Sequence, residues 1–523
     1  MPWRARPCCA RRWVMGSSIT MSTPPAGKSR NSTAPSPTGN WPAGSSAPDT
    51  IRRNLRQYEE EMSKTIALIS PATGRTLVER QTLGIEDARA AVARARAAQP
   101  EWAALPLDER IARIRAGIEA LNAMKDAIVP ELADQMGRPI RYGGEFGGVN
   151  ERAGHMMKIA AQALAPTVVE DSDHFAREIR REPVGVVFVI APWNYPFLTA
   201  VNTVVPALVA GNAVILKHAS QTLLAGERLA EALHRGGVPA EVMQNVVLDH
   251  QTTEALIAGR SFGFVNFTGS VAGGRAIERA AAGTFTATGL ELGGKDPGYV
   301  RADADLDAAV DGLMDGAMFN SGQCCCGIER IYVHESLFDA FVAKAVDWVN
   351  AQKLGNPRDP DTTMGPMAHR RFADLVRAQV SEAVAQGARP LIDPANFPAD
   401  DGGAYLAPQV LVDVTHDMRV MREESFGPVV GIMPVRDDAE AIGLMNDCDY
   451  GLTASIWTAD ADAAARIGSR LETGTVYMNR CDYLDPALCW TGCKDTGRGA
   501  ALSGLGYLAV TRPKSYHLKK VTK

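Results

Sequence analysis

The feature that most limits how this chain can fold is a series of short apolar stretches separated by helical patterns. Val184-Gly185-Val186-Val187-Phe188-Val189-Ile190 has no polar face. A strand of this kind must be covered on both sides, as in a parallel sheet. Residues 196–210 carry a helical apolar pattern, and Gly211-Asn212 is its stop signal. Residues 213–217 read as another buried strand, and residues 221–234 as a helix closed by Gly236-Gly237. Further strands are predicted at 246–248 and 262–267. Strand and helix alternating over short links predict an α/β doubly wound sheet.

On either side the pattern changes. Residues 86–121 read as two or three amphipathic helices, interrupted near Pro100 and Pro106. Residues 167–182 alternate polar and β-branched side chains. That predicts strands with one solvent face, or an arm used in assembly. Downstream, helices at 306–320 and 337–349 and strands at 330–334, 410–414 and 429–433 predict a second α/β domain.

Composition removes several function classes. The net charge is −5 with no sizeable basic block in the body, so nucleic acid and anionic membranes are not expected partners. No apolar run is long enough to span a bilayer. Nine irregularly spaced cysteines in 523 residues suit a reducing compartment, and a cytoplasmic location is expected. Residues 1–61 are rich in Ser, Pro, Thr and Gly, with Arg4, Arg6, Arg11 and Arg12 near the start. Such a segment buries little and is expected to be disordered. It reads better as a start assigned too early, with Met62 just before the first globular pattern, than as a transit-like peptide.

The chemistry centres on Phe319-Asn320-Ser321-Gly322-Gln323-Cys324-Cys325-Cys326. Adjacent cysteines are poorly placed to bridge one another. They lack the paired spacing of a zinc site, so no metal is expected. A thiol nucleophile or a buried filler remains. Thr268-Gly269-Ser270-Val271-Ala272-Gly273-Gly274 follows a predicted strand. Alone it is a strand-to-helix turn, although such a turn can receive a phosphate.

Four motifs then agree in order: Pro192-Trp193-Asn194-Tyr195-Pro196, Glu291-Leu292-Gly293-Gly294-Lys295, Gly322-Gln323-Cys324-Cys325 and Glu424-Ser425-Phe426-Gly427-Pro428. Lys217, Gly269-Ser270 and Asn479 fit with them. From about Ile66 to the C-terminus the chain resembles the NAD(P)-dependent, hydrolytic aldehyde dehydrogenases. The resemblance implies that Cys325 is the nucleophile, Asn194 an oxyanion donor and Glu291 the general base. It implies a cofactor, NAD or NADP, held by Trp193, Lys217, Ser220, Gly269, Ser270, Leu292, Glu424 and Phe426. Cys324 and Cys326 match packing or a redox reserve rather than the nucleophile. Phe319, Tyr195, Tyr483 and Trp490 are candidates for an apolar substrate tunnel.

The same resemblance implies a Rossmann-like cofactor domain (62–164 and 184–292), a catalytic α/β domain (293–494) and a small β bridging element (165–183 and 495–523). The bridge would build a homodimer or homotetramer. His218 replaces the usual proline, and Ser220 replaces the glutamate common in NAD-preferring members, which leans the reading toward NADP. Trp490-Thr491-Gly492-Cys493-Lys494 departs from the usual late motif. A CoA-acylating enzyme and a catalytically silent binding protein are the alternatives. Glu291 speaks against the first, and the set Cys325, Glu291 and Asn194 against the second. No arginine is placed by sequence to take a substrate carboxylate.

Overall fold

Strand Val186–Ala191 is buried at every position, and the main sheet is built outward from it. The structure is a computed structural model that describes residues 64–481 and 483–521; all of them lie in the unit Tyr58–Lys523. The readings on residues 1–61 fall outside the described residues. On one side of Val186–Ala191 lie Phe264–Thr268 and then Ala287–Glu291. On the other lie Ala213–His218 and then Met243–Asn245. These five strands pair in parallel. Gly497–Arg498, far along the chain, closes the edge antiparallel to Ala287–Glu291, with Gly497 opposite Glu291.

A second sheet has seven strands, in the order Arg389–Pro390, Gln409–Val412, Val429–Val435, Ile328–His334, Asp296–Val300, Thr453–Trp457 and Thr475–Met478. All pairs but the first are parallel. A third, antiparallel sheet joins Thr167–Asp171, Phe175–Pro183 and the tail strand Thr511–Lys519. The architecture is α/β, with a Rossmann-like sheet, a second α/β sheet and a small β element.

Three local expectations need correction. Helix Ile85–Ala104 runs through Pro100 without a break. The missing N–H costs a bond, but Trp102 is buried beyond it and its indole donates to the Leu208 carbonyl at 2.9 Å. The strand expected at 246–248 is instead Met243–Asn245, in register with Val214–Leu216. Val246 N makes a last bond to the Leu216 carbonyl at 2.8 Å, and Leu248 is buried past it, so the apolar character of Leu248 reports packing rather than pairing. The helix expected to reach Asn320 is Leu306–Met318. Asn320 and Ser321 take left-handed backbone angles, with φ of 54° and 57°, followed by Gly322 at 70°.

Candidate active site and cofactor cleft

The parallel sheet sets the site, because its strands deliver the candidate residues at their carboxyl ends. Ligands in open α/β sheets bind at that edge. Val186–Ala191 leads into Trp193 and Asn194. Ala213–His218 ends with Lys217, Phe264–Thr268 runs into Gly269-Ser270, and Ala287–Glu291 ends on Glu291. The three left-handed residues 320–322 turn the chain after helix Leu306–Met318, and Cys325 follows that turn.

Side chains invisible to the motif reading hold this turn. Asn194 Nδ2 donates to the Gln323 carbonyl at 3.3 Å, and Asn320 Nδ2 donates to the same oxygen at 3.2 Å. Gln323 Nε2 donates to the Asn320 carbonyl at 2.9 Å, and its Oε1 accepts from Ala368 N at 2.7 Å. Arg138 donates to the Asn194 carbonyl and, at 2.7 Å, to Glu145. Glu145 in turn accepts from Phe197 N and Leu198 N, the first free donors of helix Pro196–Val209. Asn194 is thus fixed through both its backbone and its amide.

A cavity of about 200 Å³ brings Cys325 and Glu291 together, with Leu292, Phe319, Tyr195 and Trp490 on its walls. Tyr483 is not among its lining residues. Its hydroxyl donates to Glu151, and the neighbouring Leu484 lines the cavity instead. Asn194 is beside the nucleophile loop but not on the cavity wall. Arg152, which belongs to none of the motifs, lines the cavity; this corrects the expectation that no arginine is so placed. Its only sequence signal is a cation among the buried positions of helix Phe146–Ala163.

Burial shapes the electrostatics. Desolvation pushes the Glu291 carboxyl up to about 7, opposed by the Thr268 hydroxyl at 3.1 Å and the Arg152 charge. The three cysteine sulfurs lie within 4.8 Å of one another, with Cys324 Sγ and Cys326 Sγ 3.5 Å apart. The Cys325 thiol is pushed up, first by its hydrogen bond with Cys324 and also by burial. Cys325 is half-buried, whereas Cys324 and Cys326 are buried.

The expected cofactor residues form a cleft beside this cavity. Trp193 stacks on Phe372 with ring centres 5.1 Å apart and meets the edge of Phe426 at 5.4 Å. Glu424 Oε1 accepts from Gly294 N at 3.0 Å, and a side chain on Gly293 would collide with the Glu424 carboxyl. Burial, with Glu329 nearby, pushes Glu424 up to about 8. Lys295 is paired with Glu329, which also accepts from Ser425 N and Phe426 N and so holds this loop. Ser270 caps helix Val271–Ala281, its Oγ accepting from Gly273 N at 3.2 Å. A side chain on Gly269 would meet the Phe267 ring.

Ser220 is exposed and is the first residue of the short 3₁₀ turn Ser220–Thr222, which follows Ala219. Lys217 is half-buried, and burial pushes its pKa down. His218 is packed between the Pro196 carbonyl and Thr222 Oγ1, each 3.1 Å away, and burial lowers it to about 4. Asn479 is spent on Thr458, accepting from its N–H and donating to its carbonyl, both at 2.9 Å. These donors, acceptors and glycine-lined approaches fit a dinucleotide: amides at a helix start for phosphates, an acid for a ribose, rings for a nicotinamide.

The model of the aldehyde dehydrogenase family matches residues 58–516. The chain belongs to the aldehyde dehydrogenase family. A succinate-semialdehyde dehydrogenase [NADP(+)] of Deinococcus radiodurans is 33% identical over 459 residues, covering 88% of this chain and 96% of that protein. A 4,4'-diapolycopene aldehyde oxidase of a Methylomonas species is 37% identical over 470 residues, covering 86% and 85%. The NADP-dependent glyceraldehyde-3-phosphate dehydrogenase of Bacillus halodurans, solved with NADP, superposes with a TM-score of 0.82 at 32% identity, covering 88% and 96%. This aldehyde dehydrogenase oxidises an aldehyde to a carboxylic acid with NAD or NADP. No helix among the described residues is long and apolar enough to cross a membrane.

Proposed function

We propose that Cys325 attacks the aldehyde carbonyl, that Asn194 stabilises the resulting oxyanion and that Glu291 activates the hydrolytic water. The observation carrying this reading is that Cys325 and Glu291 line one closed-in cavity beside the Asn194 amide. The sulfur–carbon bond forms as the thiol proton leaves, and Glu291 is the nearby carboxyl poised to take it. Asn194 Nδ2 and the Cys325 N–H are the donors available to the new oxyanion. NAD(P), when bound, accepts the hydride that leaves that carbon. Glu291 releases the thiol's proton to solvent and then takes one from the water that attacks the thioester; as the carbon–sulfur bond breaks and the acid leaves, Glu291 passes that proton to the departing sulfur, which restores the thiol. Apolar walls keep other water out of the cavity.

Trp193, Leu292, Glu424 and Phe426 would hold the nicotinamide end, Gly269 and Ser270 the pyrophosphate, and Lys217 and Ser220 the adenosine ribose. An exposed serine three positions from a lysine accommodates a 2′-phosphate better than a carboxylate would, which favours NADP. The three larger sheets support the domain division stated above, apart from Gly497–Arg498, which fall in the bridging range but pair on the first sheet. Val168, Val169 and Leu518 on the small sheet are exposed, which favours a homo-oligomer built through it. Seven free cysteines among the described residues favour the cytoplasm.

The relatives' names do not agree on a substrate. The test is a panel of aldehydes with and without CoA. NAD(P)-dependent acid formation that is indifferent to CoA is expected. A strict CoA requirement would reassign the second half-reaction, and no turnover on any aldehyde would leave the silent alternative.

A further inference from the structure

Four arginines are buried among the described residues: Arg110, Arg138, Arg152 and Arg330. Two of them, Arg138 and Arg330, use all three nitrogens. Arg110 donates through Nε and Nη1 to the carbonyls of Val209, Ala103 and Leu105. Arg138 holds Glu145, Asn194 and Asn320. Arg330 donates to the carbonyls of Lys295, Leu444 and Met445. Arg152 makes the fewest bonds of the four. One of its nitrogens, Nη1, makes two long bonds, both 3.3 Å, to the Leu198 carbonyl and to Asn202 Oδ1. Its Nε and Nη2 donate to nothing among the described residues, and no carboxylate of those residues lies within ion-pair reach. A buried guanidinium stays charged and is costly while its donors are left unpaired.

Arg152 also borders the reaction cavity. We propose that it is the receptor for a carboxylate on the substrate, so that the preferred aldehyde is a short oxo acid. This rests on the reading of Cys325 and Glu291 as the reacting pair. A guanidinium with two free donors matches the two oxygens of a carboxylate. Glu291 is not its counter-ion: the carboxyl accepts from Thr268 and makes no ion pair with Arg152. Leu198, Leu292, Phe319, Leu452, Leu484 and Trp490 give the cavity apolar walls beside the polar Thr199, Asn202 and Thr268. They suit a methylene spacer between a charged end and an aldehyde end.

Volume sets the length. About 200 Å³ lies below the roughly 300–1,000 Å³ of pockets that take drug-sized ligands. A four- or five-carbon oxo acid is of a size to match it. A long apolar aldehyde would extend beyond the cavity and leave Arg152 facing hydrocarbon.

The test compares 4-oxobutanoate with butanal and with methyl 4-oxobutanoate, in the wild type and in Arg152→Met and Arg152→Lys, using NADP. The wild type should favour the oxo acid over both neutral aldehydes by about 100-fold in kcat/KM, the scale of leaving buried donors unpaired. Arg152→Met should collapse that ratio through KM, and Arg152→Lys should restore part of it. A wild type that treats the three alike, or a ratio unmoved in Arg152→Met, overturns the proposal. Calorimetric binding of 4-oxobutanoate to Cys325→Ala, with and without Arg152→Met, separates the two readings. Binding that needs Arg152 supports the receptor even if the nucleophile proves to be another residue. Binding indifferent to Arg152 overturns it whatever the nucleophile.

Discussion

Thr268 donates its hydroxyl to Glu291 at 3.1 Å, the one hydrogen bond the Glu291 carboxyl receives among the described residues. A single neutral donor does not offset burial, so the carboxyl loses its proton near pH 7 rather than near 4.5. Because the base works deprotonated, steady turnover should rise as pH passes through about 7 and level off above it. Glu291→Gln should remove that limb. It should still give a burst of reduced nicotinamide, with steady turnover lower by about 10²–10⁴-fold, as for a lost general base. A wild-type steady rate in this variant would assign the water to another group.

Cys325→Ala should abolish turnover while leaving cofactor binding intact, measured by quenching of protein fluorescence on NADP addition. Cys324→Ala should retain turnover: Cys324 also borders the cavity, but it is more buried than Cys325. An acyl group trapped on Cys324 in the Cys325→Ala protein would contradict the assignment.

Asp296 offers a test on stability. It is 1% exposed, accepts from Thr453 Oγ1 at 2.6 Å, and burial raises it to about 8 from 3.8. The folded state therefore holds a proton that the unfolded state has released between about pH 4 and 8. Stability from this group falls as pH rises across that window. Asp296→Asn should be more stable than the wild type by roughly 2–4 kcal/mol at pH 7, and by less at pH 5. Urea melts at the two pH values measure this; an equal difference at both would show that Asp296 is ionised in the fold.

Ser220→Glu should shift cofactor choice toward NAD. A carboxylate accepts a ribose hydroxyl and repels a 2′-phosphate. The expected change in the ratio of kcat/KM values is about ten-fold, or about 1.4 kcal/mol. Strict NAD use by the wild type, unchanged in the variant, would show the reading of Ser220 to be wrong.

The sequence carried the parallel sheet because its strands are apolar on both faces, and the site's main residues because they stand in ordered motifs. It could not carry Arg152, whose position on a helix face says nothing about which cavity that face meets. Nor could it carry the Arg138–Glu145 pair, which acts on Asn194 from some 50 positions away (194 − 138 = 56, 194 − 145 = 49). Pro100 misled because tertiary anchoring by Trp102 outweighs local helix preference. Tyr483 and Leu484 alternate faces in an irregular segment, where no periodicity tells which one turns inward.

The edge pairing of Gly497 with Glu291 bears on the order of synthesis. Thr496 O accepts from Leu292 N at 2.9 Å, so the base's strand gains its outer neighbour only from the tail. The ribosome delivers the nucleophile loop, its turn and the cleft well before residue 497. Glu291 is made before Cys325, but the strand that ends on it stays an open edge until residues 496–498 arrive. A chain cut before residue 496 would keep that row of backbone donors and acceptors unpaired, the kind of edge to which another chain can add.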